Sequence, residues 1–278
     1  MITILTPTFN REAKLRRLYE SLSNQTTSNF CWLVVDDGST DNTEGYINSL
    51  IESSPFEIIY LKKDNGGKHT ALNLGYDNVP TEWTLIVDSD DWLKQDCIEH
   101  LDSKIREFGD DYDAISFLRV DPNLDVIGDK NPEHINNYID KIVLNISGDK
   151  AGIHRTSTAK KFKFPEYKGE NFMSEMPFFL WFGSQYKTKF LNYEGYICEY
   201  QENGLSAKIV ENRYSNIKST LYVYDSMYHS IGPLRFRMRA GINWWRFKVS
   251  QSKYETERQP NRLLFPVGAA LHILDLFK

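Results

Sequence analysis

The sequence predicts an α/β protein in which a mostly parallel sheet is flanked by helices. Short runs rich in β-branched and aromatic residues recur about one strand-plus-helix unit apart, at Ile2–Leu5, Cys31–Val35, Ile58–Leu61 and Trp83–Val87. The intervals between them are long enough for helices, and this alternation is typical of a parallel sheet covered on its faces. Polar clusters follow these runs, where open α/β sheets bind ligands.

Apolar spacing and capping residues predict the helices between these strands. The first helix follows from the i, i+3, i+4, i+7 spacing of Leu15, Leu18, Tyr19 and Leu22. Asp41, with an acidic residue three positions later, predicts the start of a helix over 43–53. Apolar stripes at 71–76 and 98–108 predict two more helices, and the run Ala114–Val120 predicts a fifth strand.

The second half of the chain is less regular. Residues 121–150 are polar and predict a loop insertion or small helices. An aromatic helix is expected over 175–186, and strands are expected over 188–191 and 193–200. The remainder has helical character.

Charge is distributed unevenly. Residues 1–200 carry 21 Lys and Arg against 32 Asp and Glu, whereas residues 201–278 carry 12 against 6. We therefore predict a sheet-bearing domain over 1–200 and a helical, basic C-terminal extension over 201–278.

Composition and missing motifs exclude several classes of protein. The 278 residues, 41% hydrophobic and 26% charged, can bury a large core, and no stretch has the ~18 apolar residues of a membrane-spanning helix. The N-terminus lacks the pattern of a secretory signal, and Cys31, Cys97 and Cys198 fit neither disulfide nor zinc spacing, so a cytoplasmic location is expected. Without a GxGxxG, GxxxxGK[ST] or GxSxG motif, Rossmann, P-loop and hydrolase sites are disfavoured.

The segment Asp88-Ser89-Asp90-Asp91 places three carboxylates at the end of an apolar strand. Their mutual repulsion favours a nearby cation, and the hard ions Mg²⁺ or Mn²⁺ prefer such oxygen ligands together with substrate phosphates. The alternative is a solvated turn that caps a following helix.

Two further strand ends carry candidate nucleotide-binding residues. A carboxylate in Asp36-Asp37-Gly38-Ser39 can accept a hydrogen bond from a base N–H or a ribose hydroxyl, although the same sequence favours a turn and a helix cap. We assign the cap to Asp41 and the ligand contact to Asp37. Lys68, which follows two glycines at a helix start, can hold a diphosphate or simply end a flexible turn.

In order along the chain, four motifs together resemble the family 2 glycosyltransferases with the GT-A nucleotide-sugar fold. They are Pro7-Thr8-Phe9-Asn10-Arg11, Val35–Asp41, Asn65-Gly66-Gly67-Lys68 with Ala71–Gly75, and Asp88–Asp91. Each motif alone is common, but the four in this order are specific. The resemblance is strong over residues 1–110, looser to about 200 and weak beyond.

The resemblance implies an inverting enzyme that moves a sugar, often from a UDP-sugar, to an acceptor hydroxyl with a divalent metal on the diphosphate. It implies that Asp37 and the loop Pro7–Phe9 hold the base, that Lys68 lies near the diphosphate and that Asp88 approaches the ribose. The full implied set comprises the donor-binding residues Pro7, Thr8, Phe9, Asp36, Asp37, Lys68, Asp88 and Ser89, and the metal ligands Asp90 and Asp88.

An inverting transfer needs a general base for the acceptor hydroxyl. In the family this is an acid that opens a helix after the metal motif, which points to Glu175, with Glu170 as the second candidate. Met176 stands where a second acid is common. The structural alternative for Glu175 is an acid favoured by a helix dipole, since Pro177 suits an early helical position.

Basic and aromatic residues interleave in the C-terminal third, at Arg235, Phe236, Arg237, Arg239, Trp244, Trp245, Arg246, Phe247 and Lys248. This composition suits an anionic membrane surface or nucleic acid, and the acidic balance of 1–200 argues against nucleic acid. We expect peripheral contact with the inner face of the membrane through 233–248 and 263–277. Packing in the protein core and a homodimer remain alternatives.

The sequence thus predicts a metal-dependent, inverting glycosyltransferase with a nucleotide-sugar donor and a glycan or lipid-linked glycan acceptor, in surface polysaccharide or lipid-linked glycan assembly. A non-catalytic nucleotide- or glycan-binding subunit would keep the base pocket but need no acid at 170–175. A sugar nucleotidyltransferase would require a Gly-rich loop where Thr6–Phe9 stands.

Overall fold

The computed structural model describes residues 1–199, 209–251 and 258–277. Within them the chain forms one curled sheet of nine strands with helices on its faces. The strands are β1 (Ile2–Thr8), β2 (Phe30–Asp36), β3 (Glu57–Lys62), β4 (Trp83–Ile86), β5 (Trp92–Leu93), β6 (Ala114–Val120), β7 (Lys150–Arg155), β8 (Thr188–Phe190) and β9 (Tyr196–Ile197).

The helices alternate with the strands in the first half and dominate the end of the described chain. They are α1 (Glu12–Ser23), α2 (Thr43–Ile51), α3 (Lys68–Asn78), α4 (Cys97–Phe108), α5 (Tyr138–Val143), α6 (Thr156–Ala159), α7 (Met176–Gln185), α8 (Ile209–Ser215), α9 (Ile217–Tyr228), α10 (Leu234–Lys248) and α11 (Phe265–Asp275). Single 3₁₀ turns occupy Gly109–Asp111, Val249–Gln251 and Arg262–Leu264.

The strand order is β3-β2-β1-β4-β7-β6-β9-β5, with β8 also paired to β6. Strands β1 to β4 are parallel, whereas β7 runs antiparallel between β4 and β6. In register, Thr8 lies opposite Asp36 and Asp36 opposite Lys62. The carboxyl ends of these strands therefore meet at one edge of the sheet.

The predicted α/β architecture is confirmed, as are the five strands predicted before residue 121 and the one predicted over 188–191, which forms as Thr188–Phe190. The helix assigned to 43–53 covers Thr43–Ile51, but its N-cap is Asn42 while Asp41 accepts from the Thr43 amide at 3.1 Å, so the predicted cap was one residue off. Only Tyr196–Ile197 of the strand expected over 193–200 forms, and this two-residue strand pairs with β6 on one side and β5 on the other. Residue 200 lies outside the described residues.

Alternating side chains of the central strands fill two cores. Trp32 and Val34 of β2 face α1, α2 and α4, whereas Leu33 and Val35 face α3 and α7. On the side of the sheet that carries Leu33 and Val35, α3 packs very close to β1. A Cβ on Gly75 of α3 would lie 2.4 Å from Leu5 Cδ1. Packing of this kind holds α3 directly beneath the carboxyl edge of β1.

A third core joins α9, α10 and α11, and α9 also packs against α7. Trp244, Trp245 and Phe247 are buried in it. Of the alternatives left open for the basic and aromatic segment, core packing therefore holds for these three rings, which fill the space between helices. The predicted domain boundary near 200 falls in the undescribed range 200–208, so the two-domain division stays a prediction.

Cys31, Cys97 and Cys198 are buried free thiols, and burial raises the pKa of Cys31 to about 12 and that of Cys198 to about 11. They therefore behave as small apolar side chains. Among the described helices none combines the length and apolar character needed to cross a bilayer.

His154 of β7 makes the fold acid-sensitive. Its buried ring packs edge-on against Phe178 and Phe182, and burial lowers the pKa to about 4. The unfolded chain takes up this proton below about pH 6.5, so stability is complete above that pH and falls toward pH 4 by about 3 kcal/mol. We expect His154→Leu to remove this part of the pH dependence of the unfolding free energy.

The matched control is His134→Leu, which replaces an exposed histidine. Denaturant titrations between pH 4 and pH 7 measure both variants. Equal pH slopes for His154→Leu and the unchanged protein would contradict the assignment.

Candidate active site at the carboxyl edge of the sheet

The loops after β1 and β2 are tied together by Asn10. Its side-chain Oδ1 accepts a hydrogen bond from the Thr40 backbone amide at 2.8 Å, and the Asn10 backbone amide donates to Ser39 Oγ at 2.8 Å. Asn10 reaches this position with a left-handed φ of 51°, which asparagine tolerates better than most residues. The clamp sets Pro7–Phe9 beside Asp36–Ser39, with Pro7 and Thr8 buried and Phe9 exposed.

Both oxygens of the buried Asp36 carboxylate are engaged within the chain. Oδ1 accepts from the Ser39 amide at 2.7 Å, and Oδ2 accepts from Tyr60 Oη at 2.6 Å. Burial, together with this carboxylate, raises the pKa of Tyr60 well above its usual range. Asp36 therefore stabilises the turn after β2, and its predicted contact with the nucleotide-sugar donor stays a prediction.

Asp37 holds the segment that leads into α3. Its carboxylate accepts from the amides of Gly66 at 3.0 Å and Gly67 at 2.6 Å, from Lys63 Nζ at 2.8 Å and from Asn65 Nδ2 at 3.1 Å. This is close to the full accepting capacity of a carboxylate. The predicted contact between Asp37 and a base stays a prediction, and the structure adds a loop-organising role that the motif did not reveal.

Gly67 allows two backbone segments to approach closely. Its φ is 92°, and a Cβ at this position would lie 2.0 Å from the carbonyl oxygen of Asn171. No L side chain fits there. The start of α3 is thereby brought against the segment that leads to Glu175.

Lys68 links two other predicted site residues, Asp88 and Glu175, through ion pairs. Its Nζ lies 2.6 Å from Asp88 Oδ1 and 2.6 Å from Glu175 Oε1. Burial opposes the lysine charge, but the two carboxylates outweigh it and raise the pKa of Lys68. Burial likewise opposes ionisation of Asp88, yet Lys68 and Arg119 lower its pKa. Residues 68, 88 and 175, far apart in the sequence, thus form one charged cluster.

Asp90 is bound by two arginines, Arg11 just before α1 and Arg17 within α1. Arg11 Nη1 pairs with its Oδ2 at 2.8 Å, and Arg17 Nη2 donates to its carbonyl oxygen at 2.7 Å. Ser89 beside it is buried. The loop is therefore fixed from α1, while the Asp90 carboxylate keeps about a quarter of its surface exposed.

Asp91 differs from its two neighbours. It is buried, Tyr196 Oη donates to its Oδ2 at 2.6 Å, and burial followed by repulsion from Asp88 raises its pKa to about 7. Tyr196 Oη also accepts from the Asp88 amide at 3.1 Å. Arg119 stacks on the Tyr196 ring at 4.5 Å and lies 3.9 Å from Asp91.

Sequence reasoning missed Tyr196 and Arg119. The available signal was a charged residue at position 119 inside the apolar run of β6, which calls for a buried partner. Tyr196 carried no comparable signal.

Glu170 has a different role from Glu175. Its two oxygens accept from the amides of Lys218 at 2.8 Å and Ser219 at 2.7 Å, so it caps the start of α9. Asn216 completes the junction by accepting from the Asn171 amide at 2.7 Å. The structure thus brings Glu175, and not Glu170, to the cluster of Lys68 and Asp88.

The donor set fits a divalent cation shared with a diphosphate. Among the described residues no three His, Cys, Asp or Glu side chains converge on one point, so the protein alone does not form a cage. Mg²⁺ and Mn²⁺ commonly bind one or two carboxylates, water and substrate phosphates. Asp90, part-exposed at the edge, and Asp88, two residues earlier, would supply such carboxylates.

Comparison with known proteins identifies relatives of the first half of the chain. The family model described as Glycosyl transferase family 2 matches residues 3–164. Glycosyltransferase GlyA of Streptococcus pneumoniae is 38% identical over 107 residues, which cover 38% of this chain and 15% of GlyA. The putative glycosyltransferase EpsH of Bacillus subtilis is 30% identical over 115 residues, covering 41% of this chain and 32% of EpsH. The matched region thus spans less than half of these relatives.

Solved structures share the fold. S. aureus TarS 1-349 in complex with UDP-GlcNAc has a TM-score of 0.64 at 18% identity, covering 98% of this chain and 80% of that one. The mannosyltransferase PcManGT of Pyrobaculum calidifontis, in complex with GDP-Man and Mn²⁺, has a TM-score of 0.57 at 16% identity, covering 99% and 75%. The similarity confirms the predicted GT-A architecture.

The two hydrogen bonds of Tyr196 Oη, to the Asp91 carboxyl and to the Asp88 amide, can be tested through protein stability. Tyr196→Phe removes the donor to a buried carboxyl and the acceptor for the Asp88 amide, so we expect the unfolding free energy to fall by about 1–3 kcal/mol. Tyr193→Phe is the control, because the hydrogen bond from Tyr193 Oη to Asp96 is exposed to solvent although the ring is partly buried. Denaturant unfolding measures both, and equal losses in the two variants would contradict a special role for Tyr196.

Proposed function

The chain belongs to glycosyl transferase family 2, and we propose that it transfers a sugar from a nucleotide-sugar donor to an acceptor hydroxyl. The observation that carries this proposal is the cluster of Lys68, Asp88 and Glu175 at the carboxyl edge of a GT-A sheet. It combines a cation suited to a diphosphate with a carboxylate suited to proton transfer. A binding module without catalysis would need no acid at position 175, so the cluster favours an enzyme.

We propose a UDP-sugar as the donor. The loops Pro7–Phe9 and Asp36–Ser39, clamped by Asn10, supply a partly buried polar site for the base. TarS, which shares the fold, binds UDP-GlcNAc and UDP. The diphosphate then lies toward Lys68 at the start of α3, where the lysine charge and the positive end of the helix dipole favour an anion.

Mg²⁺ or Mn²⁺ completes the proposed donor site. Asp90 and Asp88 would hold the ion together with the diphosphate, and the ion would neutralise negative charge on the leaving nucleotide. Lys68 shares that task from the α3 side. Arg11 and Arg17 keep the Asp90 loop in place during the reaction.

Glu175 is the proposed general base of an inverting transfer. It precedes Pro177 at the start of α7, and its ion pair with Lys68 orients the carboxylate toward the donor site. In an inverting displacement the acceptor hydroxyl attacks the anomeric carbon opposite the leaving nucleotide, and its proton passes to this carboxylate. Glu170 cannot easily substitute, because both of its oxygens hold the start of α9.

The proposed acceptor is a glycan or lipid-linked glycan in surface polysaccharide assembly. Hyaluronan synthase of Pasteurella multocida is among the relatives, at 32% identity over 99 residues. That match covers 10% of the synthase, so it supports the class of polymer chemistry and no particular sugar.

Asp90→Asn tests the metal. The change removes a carboxylate charge and its part-exposed ion pair with Arg11, while Arg17 still donates to the carbonyl oxygen of residue 90. We therefore expect the gain in UDP affinity on adding Mn²⁺ to fall by about tenfold with little change in stability. Calorimetry with and without Mn²⁺ measures it, and Asp111→Asn, at an exposed position, is the control. Mn²⁺ tightening UDP binding equally in both variants would move the metal away from Asp90.

Glu175→Gln tests the base. Glutamine keeps the size but not the basicity, so we expect turnover to fall by ~10²–10⁴-fold while UDP affinity stays near that of the unchanged protein. Release of UDP from UDP-sugars in the presence of an acceptor measures turnover.

Glu170→Gln is the matched comparison for this variant. It weakens a charged helix cap, so we expect lower stability with turnover retained below the melting transition. Loss of turnover in Glu170→Gln with normal folding, and its retention in Glu175→Gln, would reverse the two roles.

A further inference from the structure

The C-terminal helices expose an apolar surface that the three cores leave uncovered. Of the sixteen large hydrophobic side chains exposed among the described residues, ten lie between Ile231 and Phe277. Contiguous exposed apolar patches on folded proteins usually mark interaction sites.

One part of the surface is an unfinished stripe on α10. Apolar or small residues recur along one side of the helix at i, i+4, i+7 and i+11, namely Leu234, Met238, Gly241 and Trp245. The second half is covered by the α11 region, since a Cβ on Gly241 would lie 2.6 Å from Leu264 Cδ1, and Gly268 lies against Trp245. The first half is exposed, with Leu234 at 70%.

The other part is α11, whose amphipathic pattern is inverted. Its two polar side chains with ionisable groups, His272 and Asp275, face the protein: Tyr214 Oη contacts His272 Nδ1 at 3.0 Å and donates to Asp275 at 2.7 Å. Arg246 pairs with Asp275 at 2.6 Å. The apolar side chains instead face solvent, namely Phe265, Val267, Ile273 and Leu274, followed by Leu276 and Phe277. A helix that borders only water shows the opposite arrangement.

The charge around this surface is positive. Exposed Arg235 and Arg239 each follow an exposed apolar residue of α10, so the two cations form a row that borders the apolar stripe. No acidic residue occurs between Ser226 and Ser250, and Asp275 is neutralised by Arg246. Apolar side chains bordered by arginines are the pattern of a helix that lies in the interface of an anionic bilayer.

We propose that α10 and α11 seat the protein on the surface of a bilayer that contains anionic lipids. The exposed side chains of 263–277 enter the boundary between headgroups and acyl chains, and Arg235 and Arg239 meet lipid phosphates. A second copy of the chain fits less well, because the exposed α10 stripe would bring arginines together without acidic partners. This inference does not depend on the identity of the donor sugar.

Vesicle flotation tests the proposal. We expect the protein to float with vesicles of equal parts phosphatidylcholine and phosphatidylglycerol, and to remain at the bottom with phosphatidylcholine alone. Ile273→Glu combined with Leu274→Glu should lower binding by at least about tenfold, since two buried apolar contacts become charges. Arg235→Gln combined with Arg239→Gln should lower it by about tenfold or more, with the remaining binding less sensitive to salt.

The matched control is Val143→Glu combined with Leu144→Glu, an adjacent exposed apolar pair at the end of α5. It should bind vesicles as the unchanged protein does. The melting temperature with and without UDP, measured on every variant, verifies folding and reports separately on the proposed donor site.

Two outcomes would overturn the proposal. One is an absence of flotation with anionic vesicles, or flotation that the Ile273 and Leu274 changes leave intact. The other is a lipid-free dimer that these changes dissociate while vesicles bind neither form, which would assign the surface to a second copy.

Discussion

The ion pairs of Lys68 with Asp88 and Glu175 are the constraint on which the site depends. They join the start of α3, the loop after β4 and the start of α7, and each distance is 2.6 Å. Without the lysine, two carboxylates would face each other at the edge of the sheet, where repulsion would separate them. The proposed function assigns the diphosphate contact to this same lysine, so in that proposal the organisation of the site and donor binding depend on one side chain.

Lys68 reaches this position because Asp37 and Gly67 fix the turn before it. The Asp37 carboxylate accepts hydrogen bonds from the backbone amides of Gly66 and Gly67. Hydrogen bonds to a charged group contribute about 1.5–3 kcal/mol each to stability. Gly67 then allows the Asn171 backbone to approach, which brings Glu175 within reach of the lysine. A motif that suggests ligand binding in the sequence therefore first builds the frame of the site.

The sequence predicted the local elements well and the long-range contacts only through the family resemblance. Strand runs and strand-end clusters are encoded within a few residues, so β1 to β4, β6 and the positions of Lys68 and Asp88 followed directly. The antiparallel β7, the hydrogen bond of Tyr196 to Asp91 and the capping role of Glu170 depend on partners 32 to 105 positions away. No periodicity within one segment reports such a partner, although Arg119 in an apolar strand signalled that one exists.

The net charge of the sheet domain does not predict the electrostatic potential at the candidate site. Residues 1–200 are strongly acidic, yet Arg11, Arg17, Lys68 and Arg119 gather around the strand-end carboxylates and leave Asp91 as the group whose pKa is raised to about 7. The negatively charged donor of the proposed reaction would meet these four cations at the sheet edge, although the domain as a whole is acidic. The C-terminal helices use the opposite arrangement, since their positive charge lies on an exposed face and suits an extended anionic surface better than a single ligand.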